Sequence, residues 1–304
     1  MKHKAKHSAT FWIFLAPVLF AFILVILIPF ALGIFYSFTN WSSSARTEKI
    51  QFVGLANYAK SIADPRFIYS FFVTTAYTVL NMIAVNIASF LLALLVSSSI
   101  RGRNVYRAGF FVPNLIGGLV LGFVWQFIFN AAVPAVGTAI GLDWLAKPEH
   151  LFLANNASAL VALVIVGTWQ YAGYIMMIYL AALQSVPVEL HEAAQIDGAG
   201  PLHRLRFITM PMVAQAFTVT MFLTLINSFK QFDVNVSLTA GGPSTMFNGQ
   251  AIPGTQLLAL NIYSTAFTGN NLAQGQARAF MFFLVLAVVS ILQVRSNKKK
   301  EIEL

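Results

Sequence analysis

Residues 189–211 read ELHEAAQIDGAGPLHRLRFITMP and stand between two long apolar segments. The stretch is polar, yet it is patterned as structure. Pro187 suits the first turn of a helix, where its missing N–H costs nothing, and Glu189 falls near the positive end of that helix. Gly198 and Gly200 can both take the left-handed backbone that stops a helix, and Pro201 can start the next one. The spacing therefore predicts two short helices joined by a glycine turn. Leu190, Ala193 and Ala194 share one face at i, i+3 and i+4, and the two alanines keep that face flat for close approach. A membrane protein that holds such a knob in water is built to dock it.

The segments on either side explain why the protein is a membrane protein. The chain has 304 residues, is 58% hydrophobic and only 10% charged. A soluble domain carries far more charge. The charge is also segregated, which leaves apolar runs at about 11–36, 71–97, 108–129, 159–182, 212–232 and 279–294. An apolar helix of ~20 residues crosses the hydrocarbon core. Lipid offers backbone groups no partner, so these runs are predicted to be helices, and the alternating short runs of a β-barrel are absent. The expectation is an all-α polytopic protein with six transmembrane helices, forming a single transmembrane domain over 1–304, with the polar loop at 187–211.

Net charge is +9, and its placement orients the chain. Lys2, Lys4 and Lys6 precede the first span; Arg101, Arg103 and Arg107 lie between the second and third; Arg204 and Arg206 between the fourth and fifth; Arg295, Lys298, Lys299 and Lys300 after the sixth. Six spans put all of these on one side. Arg46, Lys49, Lys60, Arg66 and Lys147 fall on the other. The positive-inside rule then places both termini and the 189–211 loop in the cytoplasm. These cations flank spans and do not form a patch with aromatics, so nucleic acid is not an expected partner. The first apolar run is too long for a signal peptide and no clear cleavage site follows it, so an uncleaved first helix is expected. Lys230 and Arg278, at the outer ends of spans five and six, are expected to snorkel to the interface, and Lys230 is spaced to pair with Asp233 at i, i+3.

The loop resembles the EAA coupling loop of permease subunits of bacterial binding-protein-dependent ABC importers. The motif is carried by Glu192-Ala193-Ala194, Asp197-Gly198-Ala199 and Ile208-Thr209-Met210-Pro211, with Leu202 and Leu205 where aromatics are usual and Met210 where leucine is usual. The likeness extends to Phe52-Val53-Gly54-Leu55-Ala56-Asn57-Tyr58, to residues 178–187, and to Phe232-Asp233 followed by Leu238-Thr239-Ala240-Gly241-Gly242-Pro243. These segments are similar to those of the carbohydrate-uptake permeases, of the maltose-permease-F-like kind. The resemblance implies a type I ABC importer permease fold in the bacterial cell membrane. It implies one half of a heterodimeric pore, with a second homologous permease subunit, a dimer of cytoplasmic ATP-binding subunits and an extracytoplasmic solute-binding protein as partners. It implies a sugar, in particular an oligosaccharide, as substrate, moved by alternating access. A polyol or glycerol-phosphate-like solute is the alternative within that class, and an ion-coupled secondary transporter the alternative outside it. ATPase coupling would fall to Glu189, Glu192, Ala193, Ala194, Asp197, Gly198, Ala199, Gly200 and Pro211.

The residues themselves offer no catalytic chemistry. The chain has no cysteine, so neither a disulfide nor a thiolate metal site can form. It has no GxxxxGK[ST] loop for phosphates and no HExxH, and its five histidines are scattered over loops, where they read as solvated residues and not metal ligands. The chain is not expected to be an enzyme or to hold a cofactor; ATP and Mg would be bound by the partner ATPase. The predicted spans do carry Asn81, Asn86, Asn114, Gln126, Gln170, Tyr171, Tyr174, Thr224, Asn227 and Ser228. Each has two readings: a hydrogen bond between helices, or a group lining a path for a neutral sugar, which presents hydroxyls and apolar C–H faces. Aligned on Pro113, on the EAA glutamate and on Gly241-Gly242-Pro243, the resemblance implies that sugar-contacting positions fall at Asn114, Gly118, Gln170, Tyr171, Tyr174, Thr224 and Ser228.

Overall fold

A computed structural model describes residues 2–42, 50–98 and 100–298. Arg46, Lys49, Lys299 and Lys300 lie outside the described residues. The elements in chain order are α1 (Phe11–Ser37), α2 (Ala56–Ala63), α3 (Pro65–Ser97), α4 (Arg103–Phe111), α5 (Gly118–Ala139), α6 (Asn156–Gln184), α7 (Val188–Ile196), α8 (Pro201–Met212), α9 (Ala214–Phe229), the strands β1 (Ser244–Phe247) and β2 (Gln250–Pro253), α10 (Leu258–Tyr263) and α11 (Leu272–Lys298). Five of these helices are long and apolar enough to span a bilayer, and α8 with α9 makes a sixth if that pair, bent by 69°, counts as one span. The fold is all-α apart from the one hairpin among the described residues.

Several of the expected span limits shift: the second spanning helix begins at Pro65 and not at 71, and the third and last shift further. The third spanning helix begins at Gly118 and not near 108. Pro113 closes α4 in a short 3-10 turn (Val112–Leu115), and Gly117 is extended, so the chain restarts as a helix only after it. The last spanning helix begins earlier than 279, at Leu272. Prolines also mark the other irregularities. Pro29, Pro134 and Pro211 each stand just after a π-helical turn, at Ile23–Leu27, Ile128–Ala132 and Leu205–Thr209. A proline ring clashes with the carbonyl four residues back and offers that carbonyl no N–H. Widening the turn in front of the ring relieves the clash while keeping the helix.

The chain divides into two compact units: one formed by the chain up to Asp64 with Ile262–Phe283, the other by Pro65–Asn261 with the chain from Leu284. In the first, α1 ends where Ser37 meets Tyr58 of α2 (2.6 Å) and Asn57 donates to the carbonyls of Ser37 and Thr39. Phe30 of α1 packs edge-on to Phe283, with ring centroids 5.2 Å apart. Arg278 is not a snorkelling residue. It is 2% exposed, forms an ion pair with Asp64, and donates to Thr265 (2.6 Å) and Ser61 (3.4 Å). A guanidinium in an apolar setting needs such a set of acceptors, because burying it unpaired is costly.

The second unit is organised by α3 against α6. One core cluster gathers Tyr77, Leu121, Phe129, Leu163, Val166 and Leu257; another gathers Val85, Val96, Ile175, Met176 and Tyr179. A polar ladder runs through this packing and reaches α9. Tyr179 donates to Asn86 Oδ1 (2.7 Å) and accepts from Thr220 (2.7 Å). Asn86 donates to Thr224 (3.0 Å), and Asn81 to Ser228 (2.8 Å). Ser89 donates to the carbonyl of Ala172 across the helices. After α9, Asn235 holds its loop by donating to the Thr255 carbonyl and accepting from the Leu257 amide. The β1–β2 hairpin turns at Asn248-Gly249, both with positive φ, and Tyr69 packs on Phe247 beneath it.

Replacing Arg278 by Leu leaves Asp64 without its cation and is expected to destabilise the protein by about 3–5 kcal/mol. The reading is the unfolding midpoint in detergent. Adding Asp64→Leu should restore most of the loss; a single variant as stable as the parent would contradict the buried pair.

Candidate functional site

Two sites emerge from the second unit, a solvent-facing helical knob and a polar cavity. The knob is α7. Pro187 caps its start in an extended conformation, and Glu189 lies in the first turn. Its end is closed by amides of Asp197, Gly198 and Ala199 donating back to Ala193, Gln195 and Ala194 at 2.8–3.0 Å. Gly198 provides the positive φ of +80° that this closure needs. Gly200 does not adopt the left-handed backbone: it is extended (φ −68°, ψ 166°) because the following Pro201 disfavours the helical region for the residue before it. Pro201 then opens α8.

None of the α7 residues is buried. Val188, Leu190 and Ile196 are exposed, Ile196 to 86%, and Leu202 at the start of α8 is 77% exposed. Glu192 and Ala193 face solvent, while Ala194 and His191 are half-buried. A helix of nine residues with apolar side chains in solvent gains nothing from folding onto its own chain. Its pattern makes sense as one half of an interface. Pro211 lies in the last turn of α8, next to the 69° bend into α9.

The cavity has a volume of about 190 Å³ and is lined by Gly118, Gln170, Tyr171, Asn227, Lys230, Gln231, Phe232 and Asp233. Gly118 opens α5, Gln170 and Tyr171 lie on α6, and the rest come from the end of α9 and the loop after it. Gln170 is aimed by donating to the carbonyl of Ile116 (3.2 Å). Lys230 and Asp233 do not form the i, i+3 pair. The helix stops at Phe229, so the spacing loses its geometry.

The structure thus brings together three of the seven positions proposed for sugar contact: Gly118, Gln170 and Tyr171. Tyr174 lines a separate, apolar groove of about 600 Å³ with Arg107, Phe111 and Met177. Asn114 sits half-buried in the 3-10 turn after α4. Thr224 and Ser228 are 3% and 1% exposed and are engaged by Asn86 and Asn81, so in this conformation they fasten helices together. Gln126 likewise donates to the carbonyl of Leu238 (3.2 Å). Lys230, Gln231, Phe232 and Asp233 were missed as cavity residues because periodicity assigns them to a helix end and cannot show which way a loop folds back.

With this geometry in place, comparison with known proteins is informative. Residues 85–301 match the family described as the binding-protein-dependent transport system inner membrane component. A probable starch degradation products transport system permease protein, AmyD of Thermoanaerobacterium thermosulfurigenes, is 42% identical over 98% of this chain and 97% of its own. The multiple sugar-binding transport system permease protein MsmF of Streptococcus mutans serotype c is 30% identical over 96% of each chain. A crystal structure of a bacterial ABC transporter involved in import of the acidic polysaccharide alginate superposes with a TM-score of 0.79 over 98% of both chains at 18% identity, which speaks to fold alone. The chain belongs to the binding-protein-dependent inner membrane permease family. Its fold is the type I ABC importer permease fold, it is a multi-pass membrane protein, and it is a permease and not an enzyme.

The native chain has no cysteine, so single thiols report cleanly on the cavity. Asn227→Cys is expected to react with a charged maleimide roughly tenfold faster than Ser228→Cys, whose side chain is buried. Equal rates would mean that the cavity does not open beside Asn227.

Proposed function

We propose that this chain is one permease subunit of an ATP-driven, binding-protein-dependent importer for sugars, with oligosaccharides as the natural substrates. The whole chain acts as one transmembrane permease domain. It pairs with a second homologous permease to enclose the path. Both termini and the α7 knob lie in the cytoplasm, a placement that the distribution of Lys and Arg supports. A dimer of separate ATP-binding subunits, which bind ATP and Mg, takes α7 and its counterpart into surface grooves. A solute-binding protein delivers sugar from the other side.

The observation that carries this reading is α7: a capped helix with no buried residue, apolar side chains in solvent, and the EAA pattern on its surface. Closure of the ATPases would move α7 and, through the bend at Val213, α9. Two conformations must then lie within a few kcal/mol of each other for a nucleotide to switch them. Glu192, Ala193 and Ala194 make the contact; Asp197, Gly198 and Ala199 keep the turn; Gly200 and Pro211 set where the helices start and bend.

The names of relatives that handle starch products and multiple sugars support sugar as the substrate. The cavity chemistry agrees: amides of Gln170, Asn227 and Gln231 with rings of Tyr171 and Phe232 suit hydroxyls and C–H faces. A phosphorylated solute fits less well, since one lysine stands there beside one carboxylate, with no cluster of cations.

Glu192→Lys and Gly198→Pro are each expected to abolish uptake in cells while the chain still inserts in the membrane at parental level. Uptake at the parental rate by either variant would refute coupling through α7.

A further inference from the structure

The short helix α2 has its polarity reversed for a helix in water. Its buried residues are Asn57 and Ser61, one turn apart on one face. Leu55, Ala59 and Ile62 fall at i, i+4 and i+7 on the opposite face, and all three are exposed, Leu55 to 67% and Ile62 to 61%. A surface helix in water buries its apolar stripe and leaves amides and hydroxyls outside. In α2 the polar face is the one that is covered.

That polar face makes contacts that set the height of the helix. Asn57 donates to the carbonyls of Ser37 (2.8 Å) and Thr39 (2.7 Å), where the spanning helix α1 ends. The hydroxyl of Tyr58 meets that of Ser37 at 2.6 Å. At the other end of α2, Ser61 accepts from Arg278 (3.4 Å), and Asp64, the residue that follows the helix, pairs with the same guanidinium. Arg278 belongs to the spanning helix α11, about 9 Å along its axis from the first residue, Leu272. Two spanning helices therefore hold α2 beside their own ends, and the chain enters the next span, α3, at Pro65. At that depth an outward apolar face meets acyl chains, and it continues the lipid-facing surface of the spans. Lys60 is exposed at the flank of this face in the last turn, where its methylene stem can cover apolar surface while the ammonium reaches the headgroups. A partner that arrives from water would leave Leu55 and Ile62 in water between encounters.

We propose that α2 is an interfacial helix: its Leu55–Ala59–Ile62 face lies in the bilayer at the boundary of acyl chains and headgroups, with Lys60 directed to the headgroup layer, and the occupant of that face is phospholipid. The proposal concerns how the chain is seated in the membrane and is independent of which solute it moves.

The native chain has no cysteine, so single nitroxide labels can be placed at Leu55→Cys, Lys60→Cys and Ile62→Cys, all exposed positions where a label displaces no packed side chain. The labelled permease complex is reconstituted in vesicles of phosphatidylethanolamine and phosphatidylglycerol. Power saturation then compares collisions with oxygen, which concentrates in hydrocarbon, and with a nickel chelate, which stays in water. The ratio of oxygen to nickel collisions at 55 and 62 is expected to exceed that at 60 by at least about threefold. Nickel-dominated collisions at all three positions would overturn the proposal by placing α2 in water. Protection of 55 and 62 from both reagents would overturn it by placing the second permease on this face. Nickel access that is lost only when the solute-binding protein is added would overturn it in favour of that protein.

Discussion

The hydroxyl of Tyr179 holds the membrane part of this protein in register. It donates to Asn86 of α3 and accepts from Thr220 of α9, so one side chain of α6 joins three helices at its centre. Inside lipid the hydrophobic effect does not favour helix against helix, because the tails are as apolar as the side chains. Association then depends on close packing and on hydrogen bonds such as these, each contributing on the order of 1 kcal/mol. The neighbouring rungs, Asn86 to Thr224 and Asn81 to Ser228, extend the seam toward the cavity. Everything that the cavity needs from α6 and α9 is positioned by that ladder.

The proposed transport cycle also needs an element that can move relative to this seam. The knob α7 is connected to α9 through a bend of 69°, with a widened turn before Pro211. The ladder anchors the far part of α9, while its near end is linked to a helix with no buried residue. A force applied to α7 would therefore act on a lever whose other end sits beside the polar cavity. The seam is hydrogen-bonded across three helices, whereas the knob has no buried residue.

Much of this was legible in the sequence where the determining physics is local. Apolar runs without charge and without a barrel's alternation announce spanning helices, because lipid leaves backbone groups no outside partner. The turn at Gly198 follows from a glycine after a short helical pattern, whereas Gly200 is extended because Pro201 follows it. The hairpin was not expected in an all-α chain, although Asn248-Gly249 at its turn is a favoured pair for one. What periodicity could not reveal was long-range partnership. Arg278 looks like an interfacial cation until Asp64, 214 positions away, is seen beside it. Thr224 and Ser228, proposed as sugar-contacting positions, are hydrogen-bonded to Asn86 and Asn81 in this conformation. The cavity wall from Lys230 to Asp233 lies past the end of a helix, where a repeat of 3.6 residues no longer says which way side chains point.

The central claim is that α7 is one half of an interface with an ATPase. A photo-crosslinking amino acid at Ile196, the most exposed apolar position of the knob, tests it directly in cells that make the native system. The account predicts one dominant adduct, with a subunit that carries a phosphate-binding loop, and its loss when Glu192 is replaced. An Ile196 position that crosslinks to no protein, together with solute movement by this chain alone in liposomes, would contradict it.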